Sequence, residues 1–154
     1  TGLMNWHAFL AELNRRLERM AIAGGHGVLL LADPGGLRAV NAERGSEAGD
    51  AVMRALAAQL RLATGAGDLA ARLDDGAALW LAGRDGAAGE EAAQALCDWA
   101  EQGGVLPAGS LRIGIAVLAV AAANAETLLG HAEAALEAAR AAGGTGWRVW
   151  RAAE

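Results

Sequence analysis

Apolar residues recur every three or four positions in several stretches of the chain, the spacing that gives a helix one buried face. In residues 5–20, Phe9, Leu13 and Leu17 share one side, while charged residues occupy the others. Similar patterns predict a short helix over 37–44 and longer helices over 46–63, 87–102 and about 128–142. Ser46 is a suitable N-cap for the helix that follows it.

Strand patterns alternate with these helices. Gly27–Ala32 is apolar on both faces, as expected of a buried central strand. Residues 71–81, ARLDDGAALWL, predict two short strands, with Trp80 in the core and Asp75-Gly76 as a two-residue hairpin turn. Further strands are predicted over 111–120 and, at a sheet edge, over 147–151. The order predicts an α/β sandwich of two or three layers with a central mixed sheet of about five strands.

Composition places the chain among folded globular domains. It has 154 residues, 54% of them hydrophobic, and we expect residues 1–154 to form one domain. The formal net charge of -5 argues against a nucleic-acid partner, which needs a basic face. The longest apolar run is too short to insert into a membrane. The single cysteine, Cys97, is expected to be a core residue in a reducing, cytoplasmic setting.

The chain begins at Thr1 rather than at methionine. This start suggests a domain excised from a longer, multidomain signalling protein, although processing gives the same result. An attached domain is therefore expected.

Several stretches match, in order and spacing, the motifs of one known family. With the family pattern in parentheses, they are TGLMN at 1–5 (TGLPN), LRAVN at 37–41 (FKxVN), GSEAGD at 45–50 (GHxxGD), RIGIA at 112–116 (SIGIA) and residues 132–143 (ADEALYRAKxxG). Together they resemble the GGDEF domain of bacterial diguanylate cyclases, which condense two GTP molecules into cyclic di-GMP. The resemblance runs nearly end to end and implies a fold akin to nucleotide cyclase and polymerase palm domains.

This resemblance places the family's signature on Asp74, Asp75, Gly76, Ala77 and Ala78. The family needs two glycines, so that backbone approaches the GTP phosphates, followed by two acids, one of which holds magnesium. Here Gly76 and Ala77 replace the acids, and neither side chain binds a metal. Asp74 and Asp75 add negative charge where phosphates should come close, and like charges ~4 Å apart repel by roughly 4 kcal/mol at an effective dielectric of ~20. We expect the bend to persist without diguanylate cyclase activity.

Asp33 corresponds to the family's first metal-binding aspartate, while its second acid is replaced by Gly35. Asp33-Pro34-Gly35 is also the sequence that a type II turn prefers, with Gly35 at positive φ. We favour the turn over a working metal site.

Asn41 and Asp50 coincide with the family's guanine-recognising pair. An amide and a carboxylate together can read a guanine edge. Alternatively, Asn41 satisfies local backbone and Asp50 favours the start of its helix. Both interpretations remain open.

Two further positions carry weaker implications. Arg140 corresponds to the family's phosphate-facing lysine, but a solvated charge at a helix end explains it equally well. The family's inhibitory RxxD motif is GAGD at 65–68 here, so Asp68 is its remnant and the usual inhibitory site is not expected.

These features favour a catalytically inactive regulatory domain in cyclic di-GMP signalling. It would act on an attached domain, such as an EAL phosphodiesterase-like domain, or on a separate signalling protein. The alternatives are a non-catalytic receptor for cyclic di-GMP or GTP and, third, a weak diguanylate cyclase. No cofactor is expected, and magnesium would be needed only if GTP still bound.

Overall fold

The computed structural model describes residues 3–73, 76–107, 109–118 and 124–151, and of Arg38 and Ala39 the backbone alone. Within these residues the helices are α1 (Trp6–Ala23), α2 (Leu37–Arg44), α3 (Ser46–Ala63), α4 (Gly86–Gln102) and α5 (Ala125–Ala142). The strands are β1 (Gly27–Pro34), β2 (Leu69–Arg72), β3 (Ala77–Ala82), β4 (Leu111–Val117) and β5 (Gly146–Val149). The predicted order of helices and strands is confirmed.

The strands form one sheet in the order β2-β3-β1-β4-β5. β1 lies at its centre and pairs antiparallel with both β3 and β4. β5 lies at an edge and pairs parallel with β4, which makes the sheet mixed. The predicted α/β fold, the central position of Gly27–Ala32 and the closing edge strand are thus confirmed. β5 ends earlier than predicted, and Trp150 instead stacks on His131 of α5 at a centroid distance of 3.5 Å.

Each face of the sheet carries its own apolar core, because side chains alternate along a strand. Val28 and Leu30 of β1 point into the core covered by α3 and α4. Leu29 and Leu31 point into the core covered by α1 and α5. The molecule is therefore a three-layer sandwich, and Trp80 lies fully buried in the second core, as predicted.

Two glycines let neighbouring elements approach closely. A Cβ at Gly114 of β4 would overlap the carbonyl oxygen of Ala132, where α5 lies directly on the strand. A Cβ at Gly27 would overlap the ring of Trp80. Both glycines are packing positions inside strands rather than interruptions of them.

The predicted N-cap at Ser46 is wrong. Ser46 is the first residue of α3, and the capping position is Gly45, which makes no side-chain hydrogen bond. Gly45 also ends α2, since its N–H donates to the carbonyl of Asn41 at 2.8 Å, and its φ of 88° favours glycine. One residue between two helices leaves no room for a separate serine cap.

The predicted hairpin is confirmed by the pairing of β2 with β3, while its predicted turn at Asp75-Gly76 begins on a residue outside the described part of the chain. Arg72 pairs with Ala77, and the Leu73 N–H donates to the Gly76 carbonyl at 2.9 Å. Asp74 and Asp75 are all that separates Leu73 from Gly76, and both lie outside the described residues. Gly76 serves close packing, because a Cβ there would lie 2.6 Å from the Ala32 carbonyl oxygen.

Candidate functional site

The end of β1 is tied to α5 by an ion pair. Oδ2 of Asp33 accepts a hydrogen bond from Nε of Arg140 at 2.9 Å, and Nη2 of Arg140 lies 2.9 Å from the same oxygen as an ion pair. Nη1 of Arg140 donates to Glu137 at 3.2 Å. Partial burial opposes the guanidinium charge, but these bonds to Asp33 and Glu137 outweigh it and raise the pKa of Arg140. The ion pair thus neutralises the carboxylate that resemblance assigns to the metal.

A cleft of about 360 Å³ opens beside this ion pair. Among the described residues its charged lining is formed by Asp33, Glu133, Glu137 and Arg140, and Leu73 and Gly76 approach it from the hairpin. Sequence reasoning missed Glu133 and Glu137. Their spacing of four, followed by three to Arg140, would have placed all three on one face of α5.

Asn41 and Asp50 lie on neighbouring helices but have different surroundings. Oδ1 of Asn41 accepts the N–H of Gly49 at 3.0 Å, which joins α2 to α3, as the local-backbone interpretation predicts. Asp50 lies beyond the first turn of α3, so it does not support the start of that helix. Its side chain is 59% exposed, with Nη2 of Arg72 3.9 Å away. Guanine recognition by this pair stays a prediction.

The Asp68 carboxylate is buried and hydrogen-bonded within the fold. Its side chain is 2% exposed. It accepts hydrogen bonds from the N–H groups of Gly65 and Ala82 and from Nη2 of Arg84, each at 2.8 Å. This carboxylate fastens the loop before β2 to the end of β3. Its bonds explain an aspartate here without any inhibitory nucleotide.

The predicted type II turn at Asp33-Pro34-Gly35 is wrong. β1 continues through Pro34, which pairs with Leu111. The Gly35 N–H donates to the carbonyls of Ser110 at 2.8 Å and Asp33 at 3.1 Å. Gly36, not Gly35, has positive φ, 83°, where it precedes α2. Pairing with β4 extends the strand and moves the bend one residue onward.

The family of this chain follows from its match to a known sequence profile. The sequence profile of the family described as diguanylate cyclase, GGDEF domain, matches residues 1–145. The chain belongs to the GGDEF family. No curated protein matches the sequence.

Solved structures agree with this assignment. The GGDEF domain of YfiN from Pseudomonas aeruginosa is 26% identical, with 99% of each chain covered and a TM-score of 0.88. An EAL/GGDEF domain protein from M. capsulatus is 30% identical over 97% of this chain and 100% of that one, with a TM-score of 0.75. The GGDEF domain of DgcB from Caulobacter crescentus, solved in complex with c-di-GMP, shares the fold at 21% identity and a TM-score of 0.87, covering 97% and 91% of the two chains. This GGDEF domain is thus related to cyclic di-GMP signalling proteins.

The described part of this GGDEF domain does not fit a magnesium site. Gly76 has no side chain, and any Cβ there would collide with the backbone of β1. Ala77 and Ala78 are each 1% exposed, on opposite faces of the sheet. Among the described residues, no group of three His, Cys, Asp or Glu could hold a metal ion. Asp74 and Asp75 lie outside that part of the chain.

Cys97 is a free cysteine that lies buried in α4. Burial, followed by the charges of Asp98 and Glu101, raises the pKa of the Cys97 thiol to about 11, consistent with the predicted core residue.

None of the helices in the described ranges has the length and apolar character needed to cross a membrane.

Proposed function

We propose that this GGDEF domain does not synthesise cyclic di-GMP and instead acts as a regulatory domain in bacterial cyclic di-GMP signalling. The observation that carries the proposal is the ion pair of Arg140 with Asp33, in which Nε and Nη2 each lie 2.9 Å from Oδ2. Asp33, which would be the first ligand of a metal site, is already paired with the cationic side chain of Arg140. Gly76 and Ala77 supply no second carboxylate.

The chemistry of magnesium supports this interpretation. Magnesium prefers near-octahedral oxygen coordination and usually needs one or two carboxylates together with substrate phosphates. At Asp33 the ion would have to displace the charge-assisted pair with Arg140. In return, the described residues would offer it no group of three His, Cys, Asp or Glu side chains. GTP would then lack the cation that neutralises its phosphates for transfer.

An attached domain or a partner protein is the proposed target of regulation. The EAL/GGDEF domain protein from M. capsulatus, 30% identical, combines the two domain names in one protein. An EAL domain is therefore the attached domain that we expect first. The fold retains its apolar core on both faces of the sheet, so the domain remains a stable unit for such contacts.

The direct test is turnover of GTP. The purified domain would be incubated with GTP and either magnesium or manganese, and cyclic di-GMP would be measured by chromatography, with a catalytically active GGDEF domain as positive control. We expect no product. Product that disappears in an Asp33→Ala variant would overturn the proposal and establish a weak cyclase.

A second candidate is a receptor that binds cyclic di-GMP or GTP without turnover. The exposed carboxylate of Asp50 favours it, because 59% of that side chain is free to meet a ligand. Calorimetric titration with each nucleotide, with and without magnesium, tests this candidate, and Asp50→Ala is the matched control. Absence of heat at millimolar nucleotide would remove it.

A further inference from the structure

The two edges of the sheet differ in how they are covered. The outer side of β2 pairs with Met4, whose N–H donates to the carbonyl of Ala70 and whose carbonyl accepts the N–H of Arg72, each at 3.0 Å. In the described part of the chain, no further strand pairs with the outer side of β5. An uncovered strand edge presents backbone donors and acceptors that an added strand can bind.

The hydrogen bonds of β5 identify the backbone groups that face outward. The N–H of Trp150 donates to the carbonyl of Ile115 in β4 at 2.8 Å. Successive residues of a strand turn their backbone groups to opposite sides, so those of Trp147 and Val149 point away from β4. The carbonyl of Trp147 agrees with this direction, because it accepts Nη1 of the exposed Arg148 side chain at 3.2 Å. The open edge therefore carries the backbone groups of Trp147 and Val149.

A groove of about 670 Å³ lies beside this edge, between β5 and α4. We call it the α4–β5 groove. It is lined on the strand side by residues 145–149 and Arg151, so it follows β5 over its whole length. Residues 145–151 of an extended chain span about 20 Å, the length of a peptide of six or seven residues. A peptide that adds to such an edge gains affinity from main-chain hydrogen bonds and specificity from neighbouring side chains.

The α4 side of the groove is acidic. Glu90, Asp98 and Glu101 line it. Glu90 has neither a hydrogen bond nor an ion pair with another described residue. Asp98 accepts a hydrogen bond from Gln94 at 2.9 Å, and Glu101 accepts one from a backbone N–H at 3.2 Å. Each of these carboxylates retains lone pairs for a further donor.

Hydrogen bonds between β5 and α4 hold the groove in shape. Nε1 of Trp147 donates to Oε1 of Gln94 at 2.9 Å, and the same glutamine donates to Asp98. The indole and the carboxylate are thus fixed relative to each other. Oγ1 of Thr145, another lining residue, is buried and has no hydrogen-bond partner among the described residues. Buried hydroxyls are normally hydrogen-bonded, so this one is a group that a bound peptide can satisfy.

We propose that the α4–β5 groove binds an extended, basic segment of a separate signalling protein. The main chain of the segment pairs with the open edge of β5. Its alternate lysine or arginine side chains contact Glu90, Asp98 and Glu101. Carboxylates on one wall repel nucleic acid and favour a cationic partner, which makes a basic peptide the occupant.

The arginine that also lines the groove sets the residues between those lysines. Trp147 and Val149 pack against the core that α4 covers, so alternation turns Arg148 toward the opposite face of the sheet. Partner side chains on that face meet a positive charge, and neutral or acidic residues suit those positions. A main-chain N–H of the partner replaces the Arg148 contact with the Trp147 carbonyl.

The α4–β5 groove is separate from the Asp33 cleft. The residues that line the one do not line the other, since the Asp33 cleft is formed by β1, α5 and the hairpin. Docking in the groove rests on the proposed function only in its choice of a signalling protein as partner. Cyclic di-GMP formation by this domain would contradict the proposed function and leave the docking result unaffected.

Fluorescence anisotropy with a synthetic peptide tests the groove. The probe is a fluorescein-labelled peptide of seven residues in which lysine and threonine alternate. We expect saturable binding with a dissociation constant below about 1 mM. The control peptide has the same sequence with two adjacent central peptide nitrogens methylated, so it keeps its charge and loses a donor in either register. It should bind at least about tenfold more weakly.

A matched pair of charge reversals on α4 locates the bound peptide. Glu90→Lys changes the acidic wall and should weaken binding by at least about tenfold. Glu91→Lys makes the same change of charge at the next residue, which is exposed and does not line this groove. It should leave the affinity within about twofold of the parent value. NMR spectra of both variants check that they are folded.

Hydrogen exchange measured by NMR tests strand addition itself. At saturating peptide, the N–H groups of Trp147 and Val149 should exchange at least about tenfold more slowly than in the free domain. The N–H of Trp150, already bonded to Ile115, should be unchanged.

Four results would each overturn the proposal. They are no binding at about 1 mM peptide, equal binding of the methylated peptide, equal effects of Glu90→Lys and Glu91→Lys, and unchanged exchange at Trp147 and Val149. Slow exchange at these two residues in the free domain, together with dimers in sedimentation velocity, would show that a second copy covers the edge. That result would overturn the proposal as well.

Discussion

Two aspartate–arginine pairs of this domain differ in burial and in bonding. Asp68 is 2% exposed and accepts two backbone N–H groups besides Arg84. Asp33 is 19% exposed and is held by Arg140, itself 44% exposed, at the mouth of a cleft. By resemblance, both aspartates occupy positions that serve nucleotide chemistry in the family.

The difference shows how a family position can acquire a structural role. A buried carboxylate must have all its hydrogen bonds made, so Asp68 is committed to the loop and strand that supply them. Asp33 lies closer to solvent, where an ion pair contributes little to stability. We therefore expect Asp68 to matter mainly for folding and the Asp33 pair mainly for the charge of the cleft.

The largest effect is expected from Asp68→Ala. Removing the carboxylate leaves two backbone donors and Arg84 without their acceptor, at a cost of about 2–4 kcal/mol in the free energy of unfolding. Urea unfolding followed by circular dichroism measures the loss. Asp68→Asn, which keeps an acceptor oxygen, is the control and should lose less. Equal losses in the two variants would contradict this account of the site.

Gly76→Ala should have the next largest effect. The added Cβ would lie 2.6 Å from the Ala32 carbonyl oxygen, and the backbone of β1 must shift to admit it. Overpacking of this kind costs about 1–3 kcal/mol. The control is Gly83→Ala: its Cβ would meet nothing within 4 Å, but its φ of 71° adds strain of a different origin. Gly76→Ala unfolding at the same urea concentration as the parent would show that β1 and the hairpin are not held this closely.

Asp33→Ala should change stability by less than about 1 kcal/mol, because the pair with Arg140 is partly solvated. The same urea experiment compares it with Asp68→Ala. A loss as large as that of Asp68→Ala would remove the distinction between the two pairs.

Arg140→Ala should expose Asp33 to cations. With the guanidinium gone, manganese should broaden NMR signals of residues beside Asp33 at lower concentration than in the parent protein. The effect should remain weak, since the described residues offer no group of three ligands. Arg140→Lys retains the positive charge and serves as the control. Identical broadening in all three proteins would show that Arg140 does not guard the carboxylate.

The smallest effect concerns Glu12 on the outer side of α1. Hydrogen bonds from Arg16 and then Arg15 lower its pKa below the ordinary 4.5. A lowered pKa gives stability that is present above the ordinary pKa and lost as pH falls through the lowered one. Between about pH 5 and pH 3, the parent should therefore lose slightly more melting temperature than Glu12→Gln. Parallel melting curves would contradict this expectation.

Much of the fold follows from local pattern. Periodic apolar residues located α1 through α5, and Gly27–Ala32 was identified as central because it is apolar on both faces. The sequence did not indicate the role of a residue where backbone atoms of a distant strand determine it. The use of Gly76 depends on the Ala32 carbonyl, which belongs to another strand. Gly36 rather than Gly35 bends because β4 extends β1 through Pro34.

The candidate site was harder to predict than the fold. Asp33 and Arg140 were each identified, but their contact joins residues 107 positions apart, and neither spacing nor composition indicates it. Asp68 was identified through the family motif, whereas its three donors come from a loop and from the far end of the hairpin. The sequence shows the chemical type of each side chain, whereas the fold determines which side chains contact one another.

Because α5 supplies a counterion to Asp33, the stability of this domain is not expected to depend on the concentration of metal in the cell. A site that binds its ion only when folded gains stability by mass action as the ion becomes abundant. Arg140 belongs to the same chain as Asp33, so the ion pair between them does not depend on the concentration of any ion in solution. The folded population of this domain is therefore expected to stay the same in magnesium-starved and magnesium-rich cells.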